Sequence, residues 1–213
     1  MAADPARWVE VDAARFGGWV ERFAIRNGGA DPTLSRDDAG RPVLTGADGT
    51  RATVDLVFDR PDAYDDVPGL VALVERPHPY ALLLVRRGGW AVALATGTEV
   101  GESRVGTRYV QGKTKAGGWS QQRYARRRSA QAEGVVGAAA EAAAGLLARS
   151  TVPVVTGGDR LLLRDTVAAL EARGVRPAVP SRRLAVADPR RRVLDDAARA
   201  ACAVRLNVVD LSG

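Results

Sequence analysis

The sequence predicts an α/β fold, in which a mixed sheet carries helices on its faces. Three predicted strands at 80–87, 89–97 and 99–110 are joined by very short links, a pattern typical of an antiparallel meander. From residue 152 to the end, strand and helix patterns alternate, and that order is typical of parallel strands. We therefore expect antiparallel and parallel parts within one sheet of a chain of 213 residues.

The sequence predicts an N-terminal appendage followed by a main domain. Residues 1–50 form the appendage, in which Asp12 is the expected N-cap of a helix over 13–25. Gly, Asp and Pro are frequent at 27–50, so we expect a loop or a weak hairpin there. Residues 51–213 form the predicted main domain.

Apolar periodicity predicts the elements of the main domain. In chain order, these are a strand at 51–58, a helix at 66–76, the meander, a long helix from Ser120, a buried strand at 152–158, a helix at 159–173, a short strand at 182–187, a helix within 188–203 and a strand at 204–211. A tight turn near Gly88 and Gly89 joins the first two meander strands, and Gly174 ends the helix that precedes it.

The long helix follows an exposed loop at 113–119, and Ser120 is its predicted N-cap. An apolar stripe recurs along it with helical spacing at Ala125, Ala132, Val136, Ala139, Ala143, Leu146 and Leu147. Three basic residues lie off that stripe: Arg123, Arg126 and Arg127. Arg128 lies close to it.

Positive charge is concentrated around the start of this helix. The window from Ser103 to Ala132 holds eight positive charges and no acid, whereas the whole chain has a net charge of +6. Lys113 and Lys115, both in this window, are the only lysines in the chain. Such a window is more typical of a polyanionic partner than of a solvated face. Nucleic acid is the commonest partner of this kind, and an anionic membrane surface is the second.

Composition excludes several classes of protein. The first residues carry acids and no apolar run, so they are not a signal peptide, and apolar runs such as 81–85 are too short to span a bilayer. A single cysteine, Cys202, excludes an internal disulfide and a multi-cysteine metal site. No carboxylate cluster marks a two-metal site. We therefore expect a cytoplasmic protein without metal or cofactor.

Three other features have structural interpretations that we favour. Residues 118–122 match a nucleophile elbow only in part, because the closing Gly is missing and His78 is the only histidine. His78 lies between two prolines before a strand, and we interpret it as structural. Residues 156–159 could hold a phosphate at a helix start, but they lack a Gly-rich signature and favour a simple turn. Cys202 is interpreted as a core residue.

The segment from Gly117 to Gln122 suits catalysis by positioning. Gly117 and Gly118 permit positive φ angles and the close approach of another molecule. The amide of Gln121 or of Gln122 cannot act as a general base near neutral pH, but it can orient a water molecule. Backbone N–H groups of a Gly loop can face a developing oxyanion. A reactive ester held by a polyanion fits these properties, and an aminoacyl ester on tRNA is one.

These residues resemble a known family. A Gly-Gly-Gln loop followed by a basic helix is the peptidyl-hydrolase signature of the eukaryotic and archaeal class 1 release factors. The Gly-x-x-Gln variant after an Arg-Tyr strand end resembles the VLRF (release-factor-like) peptidyl-tRNA hydrolases of ribosome quality control, in their actinobacterial-type branch. The likeness covers about residues 55–210 and includes 81–94, Arg108, Tyr109, Lys113, Lys115, 117–128 and 154–158.

The resemblance implies a fold similar to the catalytic domain of those release factors, a mixed sheet akin to ribonuclease H. It implies hydrolysis of the ester between a nascent peptide and tRNA on a stalled large ribosomal subunit. The implied partners are that subunit, peptidyl-tRNA and rRNA, with no membrane. The implied catalytic residues are Gln121, Gly118 and Gly117, and the implied RNA-binding residues are Lys113, Lys115, Trp119, Gln122, Arg123, Arg126 and Arg127.

The sequence also departs from the release-factor pattern. Trp119 and Ser120 separate the Gly pair from Gln121, and Gln122 offers a second candidate amide. Trp119 either stacks on an RNA base or anchors the loop. Two other functions stay open: a non-catalytic module that binds the ribosome or RNA, and a ribonuclease that cuts tRNA. The ribonuclease is less favoured because neither a His pair nor metal-binding acids are evident.

Overall fold

The computed structural model describes residues 6–58, 63–107, 120–148, 150–180 and 182–210, and it describes the side chains of all of these except 120–129. In chain order, the helices and strands are β1 (Arg7–Val11), α1 (Phe16–Arg26), β2 (Thr33–Arg36), β3 (Pro42–Thr45), β4 (Arg51–Asp55), α2 (Val67–Glu75), β5 (Pro79–Arg86), β6 (Gly89–Thr96), β7 (Glu99–Thr107), α3 (Ser120–Leu147), β8 (Val154–Gly158), α4 (Arg160–Glu171), α5 (Arg191–Cys202) and β9 (Val204–Val209). The chain divides into two compact units, a first unit of Met1–His78 with Cys202–Gly213 and a second unit of Pro79–Ala201.

The first unit is built on an antiparallel sheet with the strand order β1-β9-β4-β3-β2. α1 buries Phe16, Val20 and Phe23 in the core of this unit, since these residues recur with helical spacing on one face. The same core contains buried side chains from the sheet and from α2, namely Leu44, Ala52, Val54, Leu70, Leu73, Val74, Leu206 and Val208.

The region from 27 to 50 contains β2 and β3, so the predicted weak hairpin is present as a paired hairpin. Its turn depends on Asp37, whose carboxylate accepts hydrogen bonds from the N–H groups of Ala39 and Arg41. The hydrogen bond from the Arg41 side chain to Asp37 holds the pKa of that carboxyl below its ordinary value. Gly40 has φ +78°, which completes the turn.

The start of α1 differs from the prediction. Asp12 precedes a single 3-10 turn at Ala13–Arg15, and α1 itself begins at Phe16. The Asp12 side chain makes no capping hydrogen bond. The expected N-cap at Asp12 is therefore wrong, and the backbone carbonyl of Asp12 instead accepts a hydrogen bond from the Arg15 N–H.

The second unit is built on a mixed sheet with the order β7-β6-β5-β8. β5, β6 and β7 pair antiparallel, which is the predicted meander, and β8 pairs parallel with β5. The side chains of β5 from Tyr80 to Val85 are almost fully buried because both faces of this strand are covered. The α/β class and the mixed sheet with flanking helices are thus confirmed.

α3 covers one face of the second unit's sheet and packs against β5, β6 and α4. Of the predicted stripe, Ala139, Ala143, Leu146 and Leu147 are buried, and Ala132 and Val136 are half-buried. Val135 and Ala140 are also fully buried, although the predicted stripe did not include them. The described part of the stripe therefore does pack on the sheet, and it is wider than predicted.

The terminal strand lies in a different sheet from the one predicted. β9 pairs antiparallel with β1 and β4, so the described residues form two sheets where the sequence predicts one. Along β9, buried residues alternate with half-buried ones, which suits a sheet with one solvated face. β8, by contrast, is buried at four consecutive positions, as expected for a parallel strand covered on both faces.

Two boundaries also differ from the prediction. The predicted domain boundary at residue 50 falls between β3 and β4, which pair with each other, so 51–55 lie in the first unit. The predicted strand at 182–187 is reduced to one parallel bridge between Leu184 and Gly157.

The end of β8 gives a test of the fold. Gly158 has φ +111°, and a Cβ there would meet the carbonyl oxygen of Val85. We expect Gly158→Ala to lower the free energy of unfolding by about 2–4 kcal/mol, since it combines backbone strain with a clash.

The matched control for this change is Gly137→Ala in α3, where a Cβ would meet nothing within 4 Å. We expect that substitution to raise the free energy of unfolding by about 0.5–1 kcal/mol, because alanine is the better helix former. Urea titrations of both variants measure the difference. Equal effects of the two substitutions would contradict the packing at Gly158.

Candidate functional site

The segment with the predicted chemistry connects β7 to α3. β7 ends at Thr107 and α3 begins at Ser120. Five predicted site residues lie between these two points, outside the described residues: Lys113, Lys115, Gly117, Gly118 and Trp119. The structure therefore describes the two ends of the predicted loop, and residues 108–119 lie outside the described part of the chain.

The other five predicted site residues lie in the first turns of α3, where the structure describes the backbone alone: Gln121, Gln122, Arg123, Arg126 and Arg127. Positions 121 and 122 differ by about 100° around a helix, so the two candidate amides cannot occupy the same place. The positions of the three arginines are spaced so that 123, 126 and 127 share one side of the helix.

The helix positions divide into two sides. Position 121 lies in line with Ala139, because 18 residues make about five helical turns. Ala139 is fully buried against the sheet. The backbone therefore places position 121 on the sheet side of α3, and it places 123 and 127 away from that side.

The first fully buried side chain described in α3 is Val135. Between Ser120 and Val135 the helix rises by ~22 Å, at about 1.5 Å per residue. Ala130, near the middle of this interval, is exposed. The start of α3 thus lies several turns away from the place where the helix is fixed in the core.

Trp90 fixes the strand that leads into the predicted loop. A Cβ at Gly106 would lie 2.5 Å from the Trp90 ring, so the ring rests directly on the backbone of β7. Trp90 is half-buried and packs against the core under α3. The Gly at 106 is therefore needed for close packing, and the last residues of β7 are held next to the core.

One end of the sheet gathers three chain segments. Thr107 pairs with Gly89, and Val85 pairs with Gly158, so β7 ends beside the β5–β6 turn and the end of β8. The turn residue Arg87 is exposed there, and no hydrogen bond or ion pair to Arg87 is present in the described part of the chain. Arg87 is not among the RNA-binding residues predicted from the sequence, although it lies in the Arg-Arg-Gly-Gly turn of the segment that resembles the family.

Two other arginines near this end of the sheet, Arg86 and Arg183, already have hydrogen-bond partners. The Arg86 guanidinium donates to the carbonyl of Val186 at 2.6 Å and lies 3.3 Å from the Asp188 carboxylate. Arg183 donates to the Gly158 carbonyl. These two arginines therefore connect the segment between α4 and α5 to the sheet, and they are less available than Arg87 for an external anion.

In the basic window, Arg104 is the one basic residue whose side chain the structure describes. It lies 3.6 Å from Glu102, and both side chains are largely exposed. Its guanidinium nitrogen lies 2.7 Å from where a Cβ of Gly145 would be, so it passes over α3 at a glycine. Arg104 thus links β7 to α3, and an exposed pair of this kind contributes little to stability.

Asp159, directly after β8, is the N-cap of α4, which agrees with the interpretation of residues 156–159 as a turn and not as a phosphate site. The Asp159 carboxylate accepts hydrogen bonds from the N–H groups of Leu161 and Leu162 at 3.0 and 3.2 Å. This carboxylate occupies the N–H groups that a phosphate would use, and its charge repels an anion.

His78 and Cys202 have no catalytic arrangement in the described structure. The Nε2 atom of His78 lies 2.9 Å from the Leu73 carbonyl, and its ring packs against Phe58. This agrees with the structural interpretation of His78. Cys202, interpreted as a core residue, is only half-buried at the end of α5.

Within the described ranges, no three His, Cys, Asp or Glu residues are grouped so that they could hold a metal ion. None of the helices in the part of the chain that the structure describes has the length and apolar content to cross a membrane.

The cap at Asp159 gives a second test. We expect Asp159→Ala to lower the free energy of unfolding by about 1 kcal/mol, because two N–H groups of α4 lose their acceptor. The melting temperature of the wild type should not rise with added inorganic phosphate. A phosphate-dependent rise that Asp159→Ala enhances would instead identify an anion site at this turn.

A comparison with family models matches residues 78–207 to a family described as the Actinobacteria/chloroflexi VLRF1 release factor. The match spans more than half of the chain and includes β7, α3 and the segment between them. A search of curated proteins finds no match. The family implies a release-factor-like function associated with the ribosome. The chain belongs to the Actinobacteria/chloroflexi VLRF1 release factor family.

Proposed function

We propose that the protein is a peptidyl-tRNA hydrolase that releases nascent peptides from tRNA on stalled large ribosomal subunits. The observation that carries this proposal is the position of the predicted motif in the chain. Gly117 and Gly118 precede the start of the basic helix α3 and follow β7 in sequence, inside the region that matches the release factor family. Such a segment can reach into a site that another molecule completes.

The proposed chemistry needs no titrating side chain. A water molecule attacks the carbonyl carbon of the ester, the bond from that carbon to the ribose oxygen breaks, and the ribose oxygen takes a proton. The Gln121 amide orients the attacking water and the terminal ribose of the tRNA. Backbone N–H groups at Gly117 and Gly118 face the developing oxyanion, and the two glycines let the loop enter the peptidyl-transferase centre.

The Gly-x-x-Gln spacing is the reason for choosing Gln121 over Gln122 as the proposed functional amide. The backbone of α3 does not separate the two, because positions 121 and 122 lie in line with Ala139 and Ala140, which are both fully buried. Gln121 is proposed to act with the glycine pair, and Gln122 is proposed to contact RNA together with the neighbouring arginines.

We also propose that the second unit is the counterpart of the catalytic domain of class 1 release factors, with a sheet akin to that of ribonuclease H. The family match begins at residue 78, and the second unit begins at Pro79. The unit's mixed sheet and long helix support this assignment.

Phosphates of rRNA and tRNA are the proposed partners of the basic window: Lys113, Lys115, Arg123, Arg126 and Arg127. Arg87 at the end of the sheet extends this surface toward the base of the loop. Trp119 is proposed to stack on a base, a contact that typically contributes ~1–3 kcal/mol. We infer a cytoplasmic protein from these partners.

The direct test is peptide release from large ribosomal subunits that carry labelled peptidyl-tRNA. We expect Gln121→Ala to lower the release rate at least ~100-fold, because the water loses its orienting group, and to leave subunit binding unchanged. Gln122→Ala is the matched control, one position away on the same helix, and it is expected to retain most of the activity.

Three results would contradict this assignment. Loss of release in Gln122→Ala alone would move the catalytic role to Gln122. Binding without release by the wild type would indicate a non-catalytic ribosome-binding module. Shortened tRNA among the products would indicate a ribonuclease, since ester hydrolysis leaves the tRNA at full length.

The basic window gives a prediction for salt dependence. Alanine at Lys113, Lys115, Arg123, Arg126 and Arg127 should reduce the log–log salt slope of subunit binding by roughly 4, at about 0.7–0.9 per phosphate contact. Arg87→Ala should remove one further contact of the same size. Filter binding at several salt concentrations measures each slope.

A control pair of substitutions and a labelling experiment make the salt test specific. Lys113→Ala with Lys115→Ala is compared with Arg176→Ala and Arg192→Ala, two exposed residues of the second unit outside the basic window. The lysine pair should lower the slope by about 1.5, and the control pair should not change it. Because the chain has no other lysines, protection from an amine-reactive reagent also reports directly on these two positions. Unchanged lysine reactivity on the subunit would contradict the proposed contacts.

A further inference from the structure

A cavity of about 280 Å³ lies in the first unit, outside the region that matches the family. Three arginines line it: Arg7 from β1 and Arg22 and Arg26 from α1. Trp19, Phe23 and Val208 form the apolar part of its lining. We call this cavity the arginine pocket.

The charges of the arginine pocket are not balanced within the described structure. In the part of the chain that is described, no carboxylate forms an ion pair with Arg7, Arg22 or Arg26. Arg22 and Arg26 are one helical turn apart, and like charges at this spacing repel each other. The one acid in the lining, Asp210, accepts a hydrogen bond from the Thr50 hydroxyl at 3.4 Å. An external anion would offset this repulsion.

The aromatic residues hold the arginine-bearing helix in place. Trp19 stacks on Phe23 with their ring centroids 5.2 Å apart, and on Phe16 at 6.3 Å. Phe16 and Phe23 are buried in the core. The backbone positions of Arg22 and Arg26 are therefore set by packing, and their exposed side chains extend from a fixed stretch of helix.

The same packing argues against a bilayer surface as the partner of α1. A helix that lies in a membrane interface must bury its apolar face in lipid. Here that face, with Phe16, Val20, Phe23 and Ala24, is already buried in the protein. Beside the arginines, Ile25 is the one large apolar side chain of α1 that is exposed, and a single side chain offers little apolar area for insertion.

We propose that the arginine pocket binds the phosphodiester backbone of RNA, as a second contact of the protein with the ribosome. Guanidinium groups match phosphate oxygens in bidentate hydrogen bonds, and three of them converge here. The cavity is large enough for a group the size of a nucleotide and too small for a folded element of a protein. The inference rests on the family's ribosome association and is independent of ester hydrolysis.

The test compares two double variants of the full-length protein that remove the same charge. Arg22→Ala with Arg26→Ala changes the pocket. Arg51→Ala with Arg76→Ala changes two exposed arginines of the same unit that do not line it. In binding to protein-free ribosomal RNA, the pocket variant should lower the log–log salt slope by about 1.5 and the affinity roughly tenfold at 0.1 M salt. The control variant should behave like the wild type.

Arginine-selective dicarbonyl labelling, read by mass spectrometry, locates the contact. Arg22 and Arg26 should be protected by the RNA, and Arg51 and Arg76 should stay reactive. Arg22→Lys with Arg26→Lys keeps the charge and should retain the slope. Because binding is measured without peptide release, failure of the hydrolase proposal would leave this test intact.

Several outcomes would overturn the proposal. Equal losses in the pocket and control variants would mean that only the overall charge matters, and wild-type binding by both would remove the pocket from RNA binding. Loss of the slope in the lysine variant would assign the effect to altered packing. Protection of Arg22 and Arg26 by intact subunits but not by protein-free RNA would identify an acidic protein as the partner.

Discussion

The pairing of β5 on both of its edges is the constraint on which the second unit depends. β5 pairs antiparallel with β6 and parallel with β8, and its residues from Tyr80 to Val85 are almost fully buried. This pairing brings the β5–β6 turn, the end of β7 and the cap of α4 to one end of the sheet. β8 can lie close to β5 because residue 158 is a glycine. A side chain there would meet the carbonyl oxygen of Val85.

This constraint explains how a segment without strong acids or bases can have a defined chemical role. One side of the segment is fixed by β7 under Trp90, and the other side is the start of a helix fixed in the core from Val135 onward. Catalysis by orientation needs such fixed ends, since an amide acts only through its position. In the proposed mechanism, the basic residues add affinity for a polyanion, and that partner completes the site.

Local patterns in the sequence predicted the second unit well, and long-range pairing accounts for what they missed. The meander and the buried part of α3 follow from apolar spacing, whereas the cap at Asp159 was predicted only as a simple turn. β9 was placed in the wrong sheet because its partners, β1 and β4, are distant in sequence. The candidate amide and glycines came from a motif, and their side-chain geometry lies outside the described residues. The arginine pocket could not be predicted, since pairing of β1 with β9 brings Arg7 beside α1.

The measurement that tests the central claim most directly is a single-turnover release reaction in water enriched in oxygen-18. Attack of water on the ester carbonyl predicts a released peptide with one oxygen-18 atom in its terminal carboxylate, and a full-length tRNA without label. A peptide that still carries a nucleotide would show that RNA had been cut. Release without label in the carboxylate would show that water did not attack the ester carbonyl, and either result would contradict a peptidyl-tRNA hydrolase.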